Sequence, residues 1–173
     1  ASYRRQRQMC IRDRTIEDPT PQKGYAVAKV LACGSGLTIQ HVKAGRITVN
    51  YPRIIGHEII GEIVEINGQG YDLEIGTPVT AFFYLTCGHC RWCNIDRETL
   101  CDNFKGYIGR EIDGGYAEYI KLPIENFIKI PEEIDYKNNL LETAVVCDAV
   151  ATPLKIIKKA RISSFDKVGV IGA

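Results

Sequence analysis

The sequence predicts a mainly β domain built on a barrel-like sheet, followed by helices. Short stretches rich in β-branched and aromatic residues recur with Gly, Asn and Pro turn signals between them, which is typical of a barrel. After Pro131 the pattern changes, because apolar residues then recur at helical spacing. Four closely spaced cysteines interrupt the strand-rich part and indicate a metal-bound lobe within it.

The strand-rich part contains five predicted strands. Each combines β-forming residues with at least partial alternation of apolar and polar side chains, between turn signals. The second strand belongs to a longer apolar stretch, residues 54–66, that Gly56 and Gly61 interrupt. The predicted strands span residues 25–32, 62–66, 78–84, 116–122 and 126–130.

Two helices are predicted after Pro131. Apolar residues at helical spacing fall within residues 140–145 and again within 150–161. The second helix is expected to begin near Pro153, because a proline costs little in a first turn, and its basic end suits a helix C-terminus. Residues 167–171 then predict a buried strand that opens a new unit.

Composition and charge exclude two classes of protein. With 45% hydrophobic and 25% charged residues the chain resembles soluble globular proteins, and it has no run of about 18 apolar residues to span a membrane. The net charge of +1 is uneven, since five of the 22 basic residues but one of the 21 acidic residues fall in residues 4–14. The remaining 17 basic and 20 acidic residues give a net charge of −3, so no basic surface for nucleic acid is expected.

The arginine-rich start of the chain, residues 1–14, is interpreted as a non-native or disordered extension. A basic arm that binds phosphate or membrane, or a transit peptide, is the alternative for the same residues. The fold is therefore predicted from residue 15 onwards.

A cysteine lobe at about residues 85–105 predicts a structural zinc site. Four cysteines follow one another with two, two and seven intervening residues: Cys87, Cys90, Cys93 and Cys101. Four thiolates fill the tetrahedral coordination of zinc, so the site is architectural and His89 is expected to be a solvated loop residue. Two disulfides, or four unrelated core cysteines, are the alternative.

Besides the cysteine lobe, four motifs stand in order along the chain. They are Cys33-Gly-Ser-Gly-Leu-Thr-Ile-Gln-His41, Gly56-His57-Glu58, Gly114-Gly-Tyr-Ala-Glu-Tyr119 and Asp148-Ala-Val-Ala-Thr152. Together they resemble the zinc-containing medium-chain dehydrogenase/reductase family, the alcohol dehydrogenase type. The resemblance implies a GroES-like catalytic domain with a partly open β-barrel at residues 15–146, a connecting helix at 147–165, and the start of a truncated nucleotide-binding Rossmann domain at 166–173.

The resemblance also implies a catalytic site with a second zinc ion. The family's usual ligands are a Cys within a Gly-x-Cys motif, the His of Gly-His-Glu, and a Cys or Asp before a helix. His57 and Asp148 match the second and third positions. At the first position this sequence has Gly36, which has no side chain to bind a metal. Thr38 and His41 match the family's proton-relay positions.

Three interpretations of the second metal site are open. Glu58 replaces the missing thiolate, so that His57, Glu58 and Asp148 bind the ion; a neighbouring thiol, Cys33 or Cys147, takes that place; or the second zinc is absent. A His with two carboxylates is a harder and weaker zinc site than one with a thiolate. Helix capping by Asp148, or an ion pair between Glu58 and an arginine, is the purely structural alternative.

By this resemblance the chain is part of an NAD(P)-dependent oxidoreductase that transfers hydride between an alcohol or carbonyl substrate and nicotinamide. Thr152 and Gly172 match cofactor-binding positions. The alternatives are a reductase of activated double bonds that keeps only the structural zinc, and a non-catalytic GroES-like binding domain. The expected partners are a small-molecule substrate and further copies in a dimer or tetramer in the cytoplasm, without nucleic acid or membrane. The 173-residue chain alone is expected neither to turn over nor to bind a dinucleotide tightly.

Overall fold

The computed structural model describes residues 14–69 and 71–171. Most of the arginine-rich extension, and Gly172, lie outside the described residues. The strands are β1 (Tyr25–Cys33), β2 (Ile59–Asn67), β3 (Pro78–Ala81), β4 (Tyr84–Leu85), β5 (Gly106–Tyr107), β6 (Tyr119–Pro123) and β7 (Phe127–Lys129). The helices are α1 (Leu37–Lys43), α2 (Leu140–Ala144) and α3 (Ala151–Ala160), with a π turn at Val146–Val150.

Five strands form one antiparallel sheet in the order β6-β1-β2-β3-β7. Strand β1 pairs with β2 from Tyr25 opposite Asn67 to Cys33 opposite Ile59, and two register shifts bend this long pair. Strands β4 and β5 form a separate two-stranded sheet. Within the described chain the edge strands β6 and β7 are not paired with each other, so the sheet is a partly open barrel, as predicted.

The core lies on the inner face of the sheet because apolar and polar side chains alternate along the strands. In β6, Ile120 and Leu122 are buried whereas Lys121 between them is partly exposed. Apolar residues of β1, β2 and β3 complete the same cluster. At Gly61 the strands approach so closely that a Cβ would lie 2.5 Å from the carbonyl oxygen of Lys29, so only glycine fits there.

A smaller cluster joins helix α2 to the sheet. Ile60 of β2 packs with Ile130 and with Ala144 of α2, and all three are buried. Since β2 begins two residues after His57, this contact brings the segment that follows α2 close to His57. The packing therefore places the π turn beside the start of β2.

All five predicted strands are present, with shifted ends. The stretch 54–66 becomes a strand only at Ile59, because residues 54–56 instead accept hydrogen bonds from the backbone of residues 114–116. Residues 78–84 divide into β3 and β4, since the N–H of Phe82 between them bonds to the carbonyl of Asn126. Helix α1 is an element that the strand and helix patterns do not predict.

The C-terminal helices are present, and the second one starts near Pro153, as predicted. Helix α3 begins at Ala151, and Pro153 lies within its first turn, where an N–H has no partner inside the helix. Lys158 and Lys159 occupy the last turn, which confirms the basic end. Among the described helices, none is both long and apolar enough to cross a bilayer.

The strand predicted at residues 167–171 is not formed within the described residues. These residues form no strand in the structure, and Val170 and Ile171 are largely or fully exposed. A buried strand needs a neighbouring strand for its backbone N–H and C=O groups. No strand in the described part of the chain lies beside these residues, so their apolar side chains remain uncovered.

Candidate active site and metal centres

The four cysteines of the lobe converge on one point. Their sulfur atoms all lie within 4.8 Å of one another. Two tetrahedral ligands at about 2.3 Å from zinc stand about 3.8 Å apart. The observed separations are 3.5 Å for Cys90–Cys93, 3.9 Å for Cys90–Cys101 and 3.5 Å for Cys87–Cys101. The lobe therefore has the geometry of a four-thiolate metal site.

Backbone hydrogen bonds lower the pKa of Cys87 and Cys90 and so favour their thiolates, whereas burial raises the pKa of Cys93 to about 11. Hydrogen bonding from the His89 backbone is the largest cause that lowers the pKa of Cys87, to about 6. The Nδ1 atom of the His89 ring donates to the carbonyl of Cys87 at 2.6 Å and the side chain is exposed, so this histidine is a loop residue, as expected. Asp102 pairs with Arg91 at 3.4 Å and accepts a bond from the indole of Trp92 at 3.1 Å, which stiffens the outer face of the lobe.

His57 and Asp148 meet although 91 positions separate them in sequence. His57 directly precedes Glu58 and strand β2, and Asp148 lies in the π turn. The Nε2 atom of His57 is 3.2 Å from the Oδ2 atom of Asp148, and their side chains are 11% and 27% exposed. The other carboxylate oxygen of Asp148 accepts a hydrogen bond from Oγ1 of Thr152 at 3.0 Å. The structure thus brings together two of the predicted site residues.

Glu58 is buried beside Gly36 rather than at the His57–Asp148 pair. The residue is 4% exposed, and a Cβ atom added to Gly36 would lie 3.3 Å from its Oε2 atom. In the described chain no hydrogen bond or ion pair satisfies this carboxylate, and the arginine nearest in sequence, Arg53, pairs instead with Asp113 at 2.9 Å. The purely structural alternative of an ion pair between Glu58 and Arg53 is therefore wrong.

No three donors around His57 form a closed metal site. In residues 14–69 and 71–171, only the four cysteines bring three or more metal-binding atoms within 4.8 Å of one another. Cys33 and Cys147 therefore do not complete a set with His57 and Asp148. Burial is the main cause that raises the pKa of both thiols, to about 12 for Cys33, so they remain protonated at neutral pH.

Asp148 is not a helix cap, in contrast to the structural alternative. The residue at the N-terminal boundary of α3 is Val150, and no side chain caps this helix. Asp148 lies inside the π turn, where the N–H of Ala151 bonds to the carbonyl of Val146, five residues back. Both carboxylate oxygens are engaged by side chains, those of His57 and Thr152.

Thr38 and His41 share one face of helix α1, since they are three residues apart. Thr38 is exposed, and Nδ1 of His41 accepts a hydrogen bond from Arg46 at 3.3 Å. Within the described residues, no hydrogen bond joins either side chain to His57 or Asp148. Thr38 and His41 therefore lie on the same face of α1, but within the described residues no chain of hydrogen bonds connects them to the His57–Asp148 pair.

Comparison with known sequences decides the family. Residues 22–132 match the family described as the alcohol dehydrogenase GroES-like domain. The chain belongs to the zinc-containing medium-chain dehydrogenase/reductase family. This match covers the sheet, α1 and the cysteine lobe, so it confirms the fold class and the oxidoreductase family that the motifs predict.

Relatives in this family are dehydrogenases. The chain is 32% identical over 155 residues to the L-threonine 3-dehydrogenase of Shewanella loihica, an alignment that covers 82% of this chain and 45% of the relative. The protein of Shewanella frigidimarina with the same name is 33% identical over the same span. The chain therefore spans less than half the length of these relatives.

Solved structures of the family superpose on the chain. A cobalt- and zinc-bound thermostable alcohol dehydrogenase from Pyrobaculum aerophilum matches with a TM-score of 0.76 and 30% identity, over 86% of this chain and 44% of that protein. A zinc-binding dehydrogenase from Sinorhizobium meliloti bound to NADP matches with a TM-score of 0.72 and 31% identity, over 84% and 41%. The fold of this family member is therefore that of the corresponding part of longer dehydrogenases.

An aromatic wall beside His57 is a site feature that the motif reasoning missed. The ring of Phe83 lies 5.0 Å from that of His57, and the ring of Tyr84 lies 4.8 Å from that of Phe83. Burial, with smaller contributions from Tyr107 and Asp148, raises the pKa of Tyr84. The sequence signal for this wall is the Phe-Phe-Tyr run at residues 82–84, whose pattern by itself predicts only a strand. In this family member the run lies beside His57, and the ring of Tyr84, 5.8 Å from that of Phe104, connects it to the lobe.

Proposed function

We propose that the protein to which this chain belongs is an NAD(P)-dependent oxidoreductase that transfers hydride between an alcohol or carbonyl substrate and nicotinamide. The observation that carries this proposal is the convergence of His57 and Asp148 at 3.2 Å beside the Phe83 ring. Two polar groups against an aromatic wall can orient a small oxygen-bearing substrate and exclude bulk water from it. The alcohol and threonine dehydrogenases among its relatives support the same class.

A second metal ion would be held by His57 and Asp148. Two ligands at about 2.0–2.1 Å from one zinc ion stand roughly 3.3 Å apart, close to the observed 3.2 Å. Catalytic zinc usually takes three protein ligands, and the third would be Glu58 after rotation of its unpaired side chain. When bound there, the ion supplies polarisation of the substrate oxygen. The ligands are then one nitrogen and two carboxylates. No thiolate takes part, because this sequence has Gly36 where the family usually has a cysteine.

Proton movement is assigned to helix α1. Thr38 and His41 present a hydroxyl and an imidazole on one face, and Arg46 holds the Nδ1 atom of His41. A group positioned to transfer a proton typically contributes about 10²- to 10⁴-fold to a rate. In the proposed enzyme these side chains carry the proton from the substrate alcohol to water.

The lobe cysteines are proposed to hold a structural zinc ion. The tetrahedral sulfur separations and the thiolate character of Cys87 support zinc, which accepts four thiolates readily. Because the four thiolates fill the coordination sphere of the ion, it stabilises the lobe without taking part in the reaction. Such thiolates persist in a reducing compartment, and we therefore place the protein in the cytoplasm.

The nicotinamide cofactor is proposed to bind along α3 and the residues that follow. Thr152 and Gly172 match cofactor-binding positions of the family, and residues 166–173 would begin the nucleotide-binding domain after the connecting helix at 147–165. The exposed apolar side chains of α3, such as Leu154 and Ile157, are consistent with a nucleotide-binding domain packed against this helix. Assembly into a dimer or tetramer is part of the same proposal.

A reductase of activated double bonds is the second candidate function. Gly36 supplies no metal ligand, and the carboxylate of Glu58 lies beside Gly36 rather than at the His57–Asp148 pair. Both observations favour this candidate, because such a reductase needs no metal ion at the substrate oxygen. In that case only the lobe would hold zinc.

The test uses the protein with a complete nucleotide-binding domain. A panel of primary alcohols, secondary alcohols and amino alcohols is assayed with NAD⁺ and NADP⁺, and a panel of enones with the reduced cofactors. We expect alcohol oxidation that His57→Ala and Asp148→Ala abolish, with His89→Ala as a matched control that retains activity. Enone reduction that survives His57→Ala, without alcohol oxidation, would establish the second candidate instead.

A further inference from the structure

We infer that Thr152 is a positioning residue whose hydroxyl fixes the Asp148 carboxylate against His57. This inference rests on the proposed function in one respect, namely that His57 and Asp148 form the reaction centre. It adds a role for Thr152 that differs from contact with a cofactor.

The two oxygens of Asp148 have different partners. Oδ2 lies 3.2 Å from Nε2 of His57, and Oδ1 lies 3.0 Å from Oγ1 of Thr152. An ionised carboxylate only accepts hydrogen bonds, so the threonine hydroxyl donates. In the described chain no Lys or Arg forms an ion pair with Asp148, so its side-chain hydrogen bonds with His57 and Thr152 orient it.

The orientation of Asp148 would otherwise be poorly determined. Its side chain is 27% exposed, and the terminal torsion of an aspartate is broad. Without the hydroxyl, Oδ1 would take its hydrogen bond from water, and the carboxylate could turn away from His57. Groups that orient a metal- or substrate-binding side chain in this way typically change affinity or activity by about 10- to 100-fold when removed.

The backbone around Asp148 places the hydroxyl where it is needed. In a regular helix a threonine Oγ1 can bond to the carbonyl one turn earlier. Here the π turn precedes α3, and Oγ1 of Thr152 bonds to the side chain of the residue four positions earlier instead. Thr143 shows the ordinary behaviour in α2, where its Oγ1 donates to the carbonyl of Asn139 at 2.6 Å. This contrast provides a matched control.

The experiment compares Thr152→Val, Thr152→Ser and Thr143→Val in the 173-residue chain with zinc bound to the lobe. Valine keeps the β-branched shape and removes the hydroxyl, whereas serine keeps the hydroxyl. The first readout is the ¹⁵N NMR spectrum of the His57 ring at fixed neutral pH, which reports the tautomer and the hydrogen bond at Nε2. The second is the dissociation constant of an added Co²⁺ ion at the second site.

We expect Thr152→Val to change the Nε2 signal in the same direction as Asp148→Asn and to weaken Co²⁺ binding by about 10- to 100-fold. Thr152→Ser should restore both, and Thr143→Val should change neither. An unchanged Nε2 signal in Thr152→Val would overturn the inference, and so would a change that Thr152→Ser fails to rescue. If the unaltered chain binds no Co²⁺, the proposed metal site fails, and the NMR comparison still decides the role of Thr152.

Discussion

The replacement Gly36→Cys should convert the second site into a thiolate-containing metal site. Gly36 lies at the start of α1 with φ −78° and ψ −172°, a conformation open to any residue. A Cβ atom there meets the carboxylate of Glu58, of which the Oε2 atom is nearest at 3.3 Å. That atom is the end of a flexible side chain, so a shift of a few tenths of an ångström relieves the contact.

Two effects of Gly36→Cys are expected, one on the stability of the protein and one on its affinity for zinc. Replacing a glycine at a compatible φ stabilises a protein by about 0.4–1 kcal/mol through the unfolded chain, which offsets the small displacement of Glu58. A thiolate also supplies the third, softer ligand that zinc prefers over oxygen. We expect zinc affinity at the second site to rise at least about tenfold, which corresponds to roughly 1.4 kcal/mol.

The assay first fills the lobe with one equivalent of Zn²⁺ and then titrates Co²⁺. A cobalt–thiolate charge-transfer band in the near ultraviolet should appear in Gly36→Cys and be absent from the natural chain and from Gly36→Ala. A Gly36→Cys protein that folds normally yet shows no such band and no gain in zinc affinity would contradict this prediction. Residue 36 would then not face the ion held by His57 and Asp148.

Three further predictions concern the lobe and the sheet. Cys93→Ser, or chelation of zinc, should lower the thermal midpoint and open the lobe to proteolysis, as shown by cleavage mapped to residues 87–105. Leu122→Ala should cost about 2–5 kcal/mol in urea unfolding, because the side chain is fully buried, whereas Ile128→Ala at an exposed position should cost under about 1 kcal/mol. The hydrogen bond to Glu62, the main cause, raises the pKa of Tyr136 to about 12, so its stabilising effect is complete below pH 10 and is lost as the pH rises toward 12. The stability difference between the natural chain and Tyr136→Phe should therefore shrink over that range, and a constant difference would contradict this assignment.

The sequence was most informative where spacing alone determines geometry. Four cysteines separated by only two, two and seven residues lie close together in most conformations of the loop, so the lobe was predictable without knowledge of the fold. Strand β6 was predictable because Ile120 and Leu122 alternate with polar residues, and one buried face imposes that period. Ends of strands were less predictable, since the division of residues 78–84 depends on a hydrogen bond to distant Asn126.

The second site shows where local patterns stop being sufficient. His57 and Asp148 are 91 positions apart, and their meeting depends on α2 packing against Ile60. The carboxylate of Glu58 lies beside Gly36, in space that a side chain at position 36 would enter. A motif comparison shows that residue 36 is glycine, but it does not show how close Glu58 lies to it. The strand predicted at residues 167–171 is not formed within the described residues for a related reason, because β-forming residues become a strand only beside another strand.

The number of metal ions bound by the 173-residue chain at equilibrium with micromolar free Zn²⁺ tests the proposed pair of metal sites. We predict two ions for the natural chain, one for His57→Ala, and one for Cys93→Ser, because the lobe and the His57–Asp148 pair are separate sites. One ion in the natural chain and in His57→Ala alike, with none in Cys93→Ser, would contradict a metal-assisted reaction centre at His57 and leave the lobe as the sole zinc site.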